Sequence, residues 1–423
     1  MNSDGVLSEG TTSAPMLPNL DRIIRGLLYL YIFSLPFVGL LFIERNGFII
    51  LLVLLVLWFA VNRRHFFVQT PLDLPLIAFV LWVGFTIPFA AFPLYSLKEF
   101  GKLLQQGLMF YVVLYFFQER LHRARLLTLL VGVLTLISAY GITQFEEMGR
   151  ITSFLSSEVW LTTYLVMFIP LCVALELYEV QPYLKAVYVG ISGLATVCLL
   201  LTQSRAGLVA LVCELWVLAW FTKRRAMLIV ASVLSLALVI SVMFLVKRNT
   251  TTGDTTIINS KTPILLKTDI GSIIHRVNIW SFTLEQIPKH PFVGIGYGKE
   301  SYRLVFDQKS EESLPGHEQV RNAGTHNIFL ELALHVGLPG LLLFVWLAAR
   351  IAKTTLAEFH RAADSWPKAV LLGVGVSVIG MGVRLMFDQM FVVTLALLFW
   401  ILVAVAMLEC GTTRSQTQSN IRC

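Results

Sequence analysis

Charged side chains are scarce in this chain of 423 residues: Asp, Glu, Lys and Arg together make up 14%, against about a quarter in an ordinary soluble domain. That scarcity excludes a soluble globular fold, and the 56% hydrophobic content and the mean hydropathy of +0.74 agree. The apolar runs, each about 20 residues long, lack period-2 alternation, which excludes a β-barrel and leaves the α-helix as the way to satisfy a backbone in hydrocarbon. Cysteine is confined to Cys172, Cys198, Cys213, Cys410 and Cys423. None lies in the longest polar segment, so a disulfide framework is excluded, and no spacing reads as a metal site. No internal repeat is visible. No small-residue cleavage site follows the first apolar run, so residues 1–20 are read as a disordered tail and not as a removed signal.

The net charge of +7 does not gather into a patch. The basic residues sit in short clusters between apolar runs, which excludes nucleic acid as a partner and reads as orientation signal. The expected fold is an all-α polytopic membrane protein of about twelve transmembrane helices. Spans are read at 24–43, 47–61, 74–92, 103–118, 124–143, 158–179, 184–202, 206–222, 226–246, 327–349, 366–388 and 391–408. Arg63 and Arg64, then Arg120, Arg123 and Arg125, then Lys223, Arg224 and Arg225, then Arg350, Lys353 and Arg361 mark every second loop as cytoplasmic. Both tails, 1–20 and 409–423, are then cytoplasmic. Residues 21–246 hold the first nine helices, 247–326 form one large external loop, and 327–408 hold the last three helices.

That loop is expected to be partly folded. Ile273, Val277, Trp280, Leu284 and Ile287 fall on one helical face over 271–287. Pro288, Pro291, Gly294, Gly296 and Gly298 then mark turns, while the polar stretches 250–262 and 307–324 read as mobile. The run from Gly294 to Gly298 is neither a potassium filter, which needs four converging loops, nor a dinucleotide motif, which needs a βαβ unit.

External basic residues are informative because orientation bias disfavours them there. Arg205, at the external boundary within 202–207, is read as a phosphate ligand, since its planar fork matches phosphate oxygens; the plainer reading is a snorkelling helix-end arginine. Arg276 sits on the polar side of the loop helix, where a solvated charge is the plainer reading. Lys98 and Lys102, four residues apart, add positive potential or simply touch headgroups. Arg384 and Asp388 share a helix face and can pair, and Asp388 can also orient another residue. The sharpest feature is 325–331, Thr-His-Asn-Ile-Phe-Leu-Glu. It puts His326 and Asn327 at the start of the tenth span, where the helix dipole disfavours imidazolium. A neutral imidazole suits a general base. Glu331, four residues past Asn327, can fix the site. The plainer reading is a helix cap with an interfacial histidine.

His326-Asn327, nine residues, and then Gly337-Leu338-Pro339-Gly340 resembles the His-Asn-x9-Gly-x-x-Gly signature of the bacterial O-antigen ligase and polymerase superfamily. The segments 204–207 and 291–296 resemble further family motifs, and the resemblance runs from Gln203 to Gln389. It implies a GT-C-like membrane glycosyltransferase of the inner membrane, with its site on the periplasmic face and the 247–326 loop in the periplasm. The implied donor is an undecaprenyl-diphosphate-linked glycan, the implied acceptor a sugar hydroxyl of lipid A–core, and the setting lipopolysaccharide biosynthesis. Arg205 and Arg276 would then hold the donor diphosphate, and His326 with Asn327 would activate the acceptor, with inversion at the anomeric carbon and no cofactor. The chain lacks an acidic cluster, which argues against a divalent metal. A polymerase or a protein O-oligosaccharyltransferase of the same superfamily is the alternative; the short tail after the last span agrees with a ligase. A secondary transporter is the more distant one, although it would show two related halves and a midplane site.

The topology is checked by cysteine-accessibility scanning. Single cysteines placed in 247–326 are expected to label from the periplasmic side, and those at the basic loops from the cytoplasmic side; the opposite pattern sinks the orientation and the site built on it.

Overall fold

The computed structural model describes residues 18–145, 151–237, 270–307, 324–388 and 393–422. Most of the expected tail at 1–20, the larger part of the polar stretches 250–262 and 307–324, the ends of the ninth and twelfth expected spans, Gln389 and Cys423 lie outside those residues.

Among the described residues the chain is helical throughout, with no strand. Helices α1 (Pro18–Ser34), α2 (Leu41–Asn62), α3 (Asp73–Thr86), α4 (Pro93–Phe116) and α5 (Arg120–Thr143) precede α6 (Glu158–Tyr178), α7 (Pro182–Leu201), α8 (Arg205–Thr222) and α9 (Arg225–Ala237). The loop contributes α10 (Ile270–Gln286) and α11 (Ser301–Asp307). Then come α12 (Ile328–His335), α13 (Gly337–Arg361), α14 (Ser365–Arg384) and α15 (Val393–Arg422).

Among the described residues eight helices are long and apolar enough to cross a membrane, which makes this a multi-pass membrane protein. The expected count of about twelve is not reached on that measure. Helix α1 has 17 residues, the apolar part of the third span comes to Asp73–Phe89, and the ninth span is described only from Arg225 to Ala237. Helix α4 is long enough at 24 residues, but Lys98, Glu99, Lys102, Gln105 and Gln106 make it too polar.

The layering follows from burial. Helices α6, α14 and α15 form the centre, with 78%, 72% and 83% of their most apolar windows buried, whereas α2 has 17% and faces lipid. Lipid is as apolar as leucine, so the central helices need close backbone approach and hydrogen bonds to hold together. Gly373 of α14 packs directly on the Leu171 backbone of α6, and Ser377 Oγ donates to the Met167 carbonyl at 2.7 Å. At the opposite end from the loop, the buried Arg123 of α5 pairs with Glu409 of α15 at 2.8 Å, and Trp366 Nε1 donates to the same carboxylate.

The structure also divides the span read at 327–349. Helix α12 stops at His335, and α13 starts at Gly337, whose φ is +74°. Three of the carbonyls left over at that break find donors. Leu334 O accepts from the Ile295 N–H at 2.9 Å, His335 O from the Gly296 N–H at 3.0 Å, and Val336 O from Trp82 Nε1 at 2.9 Å. Leu338 N–H returns the pairing by donating to Pro291 O at 2.8 Å. The turn segment 291–296 is thereby fastened to the end of α12. Around it Ile287, Ile295, Tyr302 and Phe306 of the loop pack on Ala333 and Leu334 as a small second core.

Gly294, with φ +70°, lies against the His335 carbonyl, and a Cβ there would collide with it. Gly294→Ala is therefore expected to destabilise the loop by about 1–3 kcal/mol, the range of a strained backbone position. Gly132→Ala, where a Cβ meets nothing within 4 Å, is the control. Equal thermal midpoints of the two purified variants would contradict the fastening described here.

Candidate functional site

Three separate stretches of chain meet at the loop end of the bundle: α10, the segment 324–327 with α12, and the turn Leu385–Phe387 that closes α14. Helix α10 does not bury the face that its periodicity picks out: Val277 and Leu284 are exposed, Ile279 and Thr283 are buried, and Arg276, read on the polar side, is half-buried one turn from Trp280. Trp280 Nε1 donates to the Thr325 carbonyl at 3.0 Å, and Arg276 Nη1 donates to the Phe387 carbonyl at 2.8 Å. One helix of the loop thus ties the residue before His326 to the end of α14.

Arg384 and Asp388 pair as their spacing allows, Nη2 to Oδ2 at 2.7 Å. Arg384 is buried and also reaches the Val159 carbonyl of α6 at 3.4 Å. The Asp388 carboxylate acts electrostatically on Arg276 and on His326 as well as on Arg384. So the structure brings His326, Arg276, Arg384 and Asp388 together.

His326 is half-buried and stands just before α12 with φ 49°, in the left-handed region. Burial holds its imidazole below the ordinary histidine value; the Arg276 charge adds to that, Asp388 opposes it, and His275 lowers it slightly. The direction matches the sequence expectation, but the cause is burial and a neighbouring guanidinium, with no helix-dipole contribution needed. Arg276 is itself lowered by burial, with Asp388 opposing.

Asn327 takes the cap that the plainer reading gave to this motif. Its Oδ1 accepts from the Phe329 N–H at 3.0 Å and the Leu330 N–H at 3.2 Å. Ser204 does the same for α8, accepting from the Gly207 N–H at 3.2 Å, which leaves Arg205 as the first residue of that helix. The corner 202–207 rests on α6: Thr162 Oγ1 donates to Thr202 Oγ1 at 3.2 Å, and Gly207 packs against Thr162. Since α6 also supplies Val159 to Arg384, Arg205 is placed at the same end of the bundle, one helix away.

Lys102 pairs with Glu99 on α4, and Lys98 is exposed. Their helix reaches the motif from the other side, because the Glu300 N–H donates to Tyr95 Oη at 2.9 Å and the Ala91 N–H to Ile295 O at 3.0 Å. Glu331 is buried on α12, within 3.3 Å of Thr325 Oγ1. Among the described residues no group of three His, Cys, Asp or Glu is placed to hold a metal; Asp254 and Asp269 lie outside them. Sequence reading passed over Trp280 and Thr325. The Trp on the apolar face of 271–287 was the available signal for the first; the second, a threonine beside the motif, offered none.

Residues 190–345 match a family model described as O-antigen ligase. The resemblance read from the motifs holds over that stretch, which covers Arg205, Arg276, His326, Asn327 and both glycine-rich segments. No curated protein matches the chain.

Titration of His326, followed through its rate of diethylpyrocarbonate modification, is expected to show a midpoint below the ordinary value of about 6.5. Asp388→Asn should lower the midpoint further, because the carboxylate favours the imidazolium. Arg276→Gln should raise it, because the guanidinium disfavours it. Shifts of the opposite sign would break the electrostatic account.

Proposed function

We propose that the chain is an O-antigen ligase, moving a glycan from undecaprenyl diphosphate to a sugar hydroxyl of lipid A–core on the periplasmic face of the bacterial inner membrane. The family match over 190–345 supports the class. The observation that carries the reaction is the convergence of a neutral-leaning imidazole, two arginines and one carboxylate at a single end of a membrane bundle.

A diphosphate is already a good leaving group, so the work lies in stabilising the charge that develops on it and in taking a proton from the acceptor. Arg276 and Arg205 are the donor-phosphate ligands in this reading, each offering a bidentate fork. The acceptor oxygen attacks the anomeric carbon from the face opposite the diphosphate. The new C–O bond forms as the bond to phosphate breaks, the configuration inverts, and undecaprenyl diphosphate departs. The hydroxyl proton passes to His326, whose lowered pKa keeps it unprotonated at neutral pH. Asp388 faces the imidazolium so formed and offsets its charge. Asn327 acts by fixing the start of α12, and Lys98 and Lys102 add positive potential.

Purified protein given lipid-linked glycan and lipid A–core is the test. His326→Ala is expected to keep donor binding and lose transfer by about 10²–10⁴-fold, the usual worth of a general base. Arg205→Lys and Arg276→Lys should recover little of what the alanine variants lose. Full transfer by His326→Ala and by both Arg→Ala variants rejects the assignment.

A further inference from the structure

Behind His326 lies a buried polar chain that the proposed reaction does not use. Thr325 is fully buried, and its hydroxyl stands 3.3 Å from Glu331 Oε2 and 3.2 Å from the Asn327 carbonyl. That carbonyl is already taken by the Glu331 N–H at 2.9 Å, as the first helical bond of α12. The carboxylate is thus the stronger acceptor for the single Thr325 proton. Glu331 is 2% exposed, and its other oxygen lies 3.9 Å from Nδ1 of His335, one turn further and fully buried. Among the described residues, neither ring nitrogen of His335 has a hydrogen-bond partner. Glu331 lies within electrostatic reach of Tyr95 and Tyr297, and a glutamate and a histidine kept inside an apolar helix packing are costly.

Through Thr325, Glu331 reaches the backbone at residue 326. His326 holds φ 49°, a conformation that a side-chain-bearing residue keeps only when its neighbours hold it. Three contacts do so. Trp280 fixes the Thr325 carbonyl, Asn327 caps α12, and Glu331 anchors the Thr325 side chain. The first two hold the chain on either side, and the Thr325 side chain is held by Glu331 and the Asn327 carbonyl.

We infer that Glu331 is a positioning residue for His326, acting through the Thr325 hydroxyl. The inference rests on the catalytic reading of His326. It predicts a loss in turnover without a loss in donor affinity, because the phosphate ligands are untouched. A displacement of about 1 Å at a reacting group costs on the order of 10²-fold.

The test is a set of four variants in the full-length protein. Glu331→Leu and Thr325→Val are each expected to lower kcat by roughly 10–100-fold with KM for donor little changed. Glu331→Gln, which keeps an oxygen acceptor, is expected to restore most of it. The Thr325→Val/Glu331→Leu double variant should be no worse than the poorer single one, since both break one contact. Thr325→Val is nearly isosteric and keeps the comparison valid if Glu331→Leu does not fold. Mass-spectrometric measurement of carbethoxylation at His326 runs alongside and needs no transfer activity. If wild type does not transfer glycan, the functional reading fails, yet altered His326 modification in Glu331→Leu and Thr325→Val, restored in Glu331→Gln, still supports the positioning role. Unchanged kcat and unchanged modification in Thr325→Val overturn it, and so does a Glu331→Gln variant as impaired as Glu331→Leu.

Discussion

Helix α12 ends inside the protein, and a helix end there leaves carbonyls that water cannot reach. Much of the external architecture follows from satisfying them. Ile295, Gly296 and Trp82 supply the three donors, so a turn of the loop, the third helix and the break at Gly337 are held as one piece. An unpaired backbone group in such a setting costs several kcal/mol. The glycines at 294 and 337 are needed because the two backbones run too close for a Cβ. The two glycine-rich motifs, 46 residues or so apart in sequence, are therefore two halves of one contact.

This contact is what gives His326 a fixed address. Helix α12 is too short at eight residues to hold itself in place. It is held at its far end by the 291–296 turn and at its near end by Trp280 and Asn327. The loop thus serves as a clamp on both ends of α12, while Arg276 from the same loop helix reaches the end of α14. Charged groups from α10, α14 and the motif meet because the backbone contacts leave α12 one position to occupy.

The class of fold was legible in composition, since 14% charge admits little else. Part of the proximity was legible as well: of the residues singled out in sequence, His326, Arg276, Arg384 and Asp388 stand together at the loop end. Two things were not. The span at 327–349 reads as one apolar run, and hydropathy does not register a break of a single residue. Pro339 close behind Gly337 was the cue, as proline favours the first turn of a new helix. The cause of the depressed His326 pKa was also hidden, because burial and the approach of Arg276 depend on how α10 packs, and periodicity says which face is apolar but not what it meets.

The apolar part of helix α15 is Thr394–Gly411, 18 residues, about 27 Å at the usual rise, against a hydrocarbon core of about 30 Å. An apolar stretch that already matches the bilayer responds to a thinner membrane by tilting. The half of α15 away from the loop is pinned to α5 through Arg123 and Glu409, so the tilt is taken up at the other end, beside the Leu385–Asp388 turn. Bilayer thickness is in this way mechanically connected to where the Asp388 carboxylate stands.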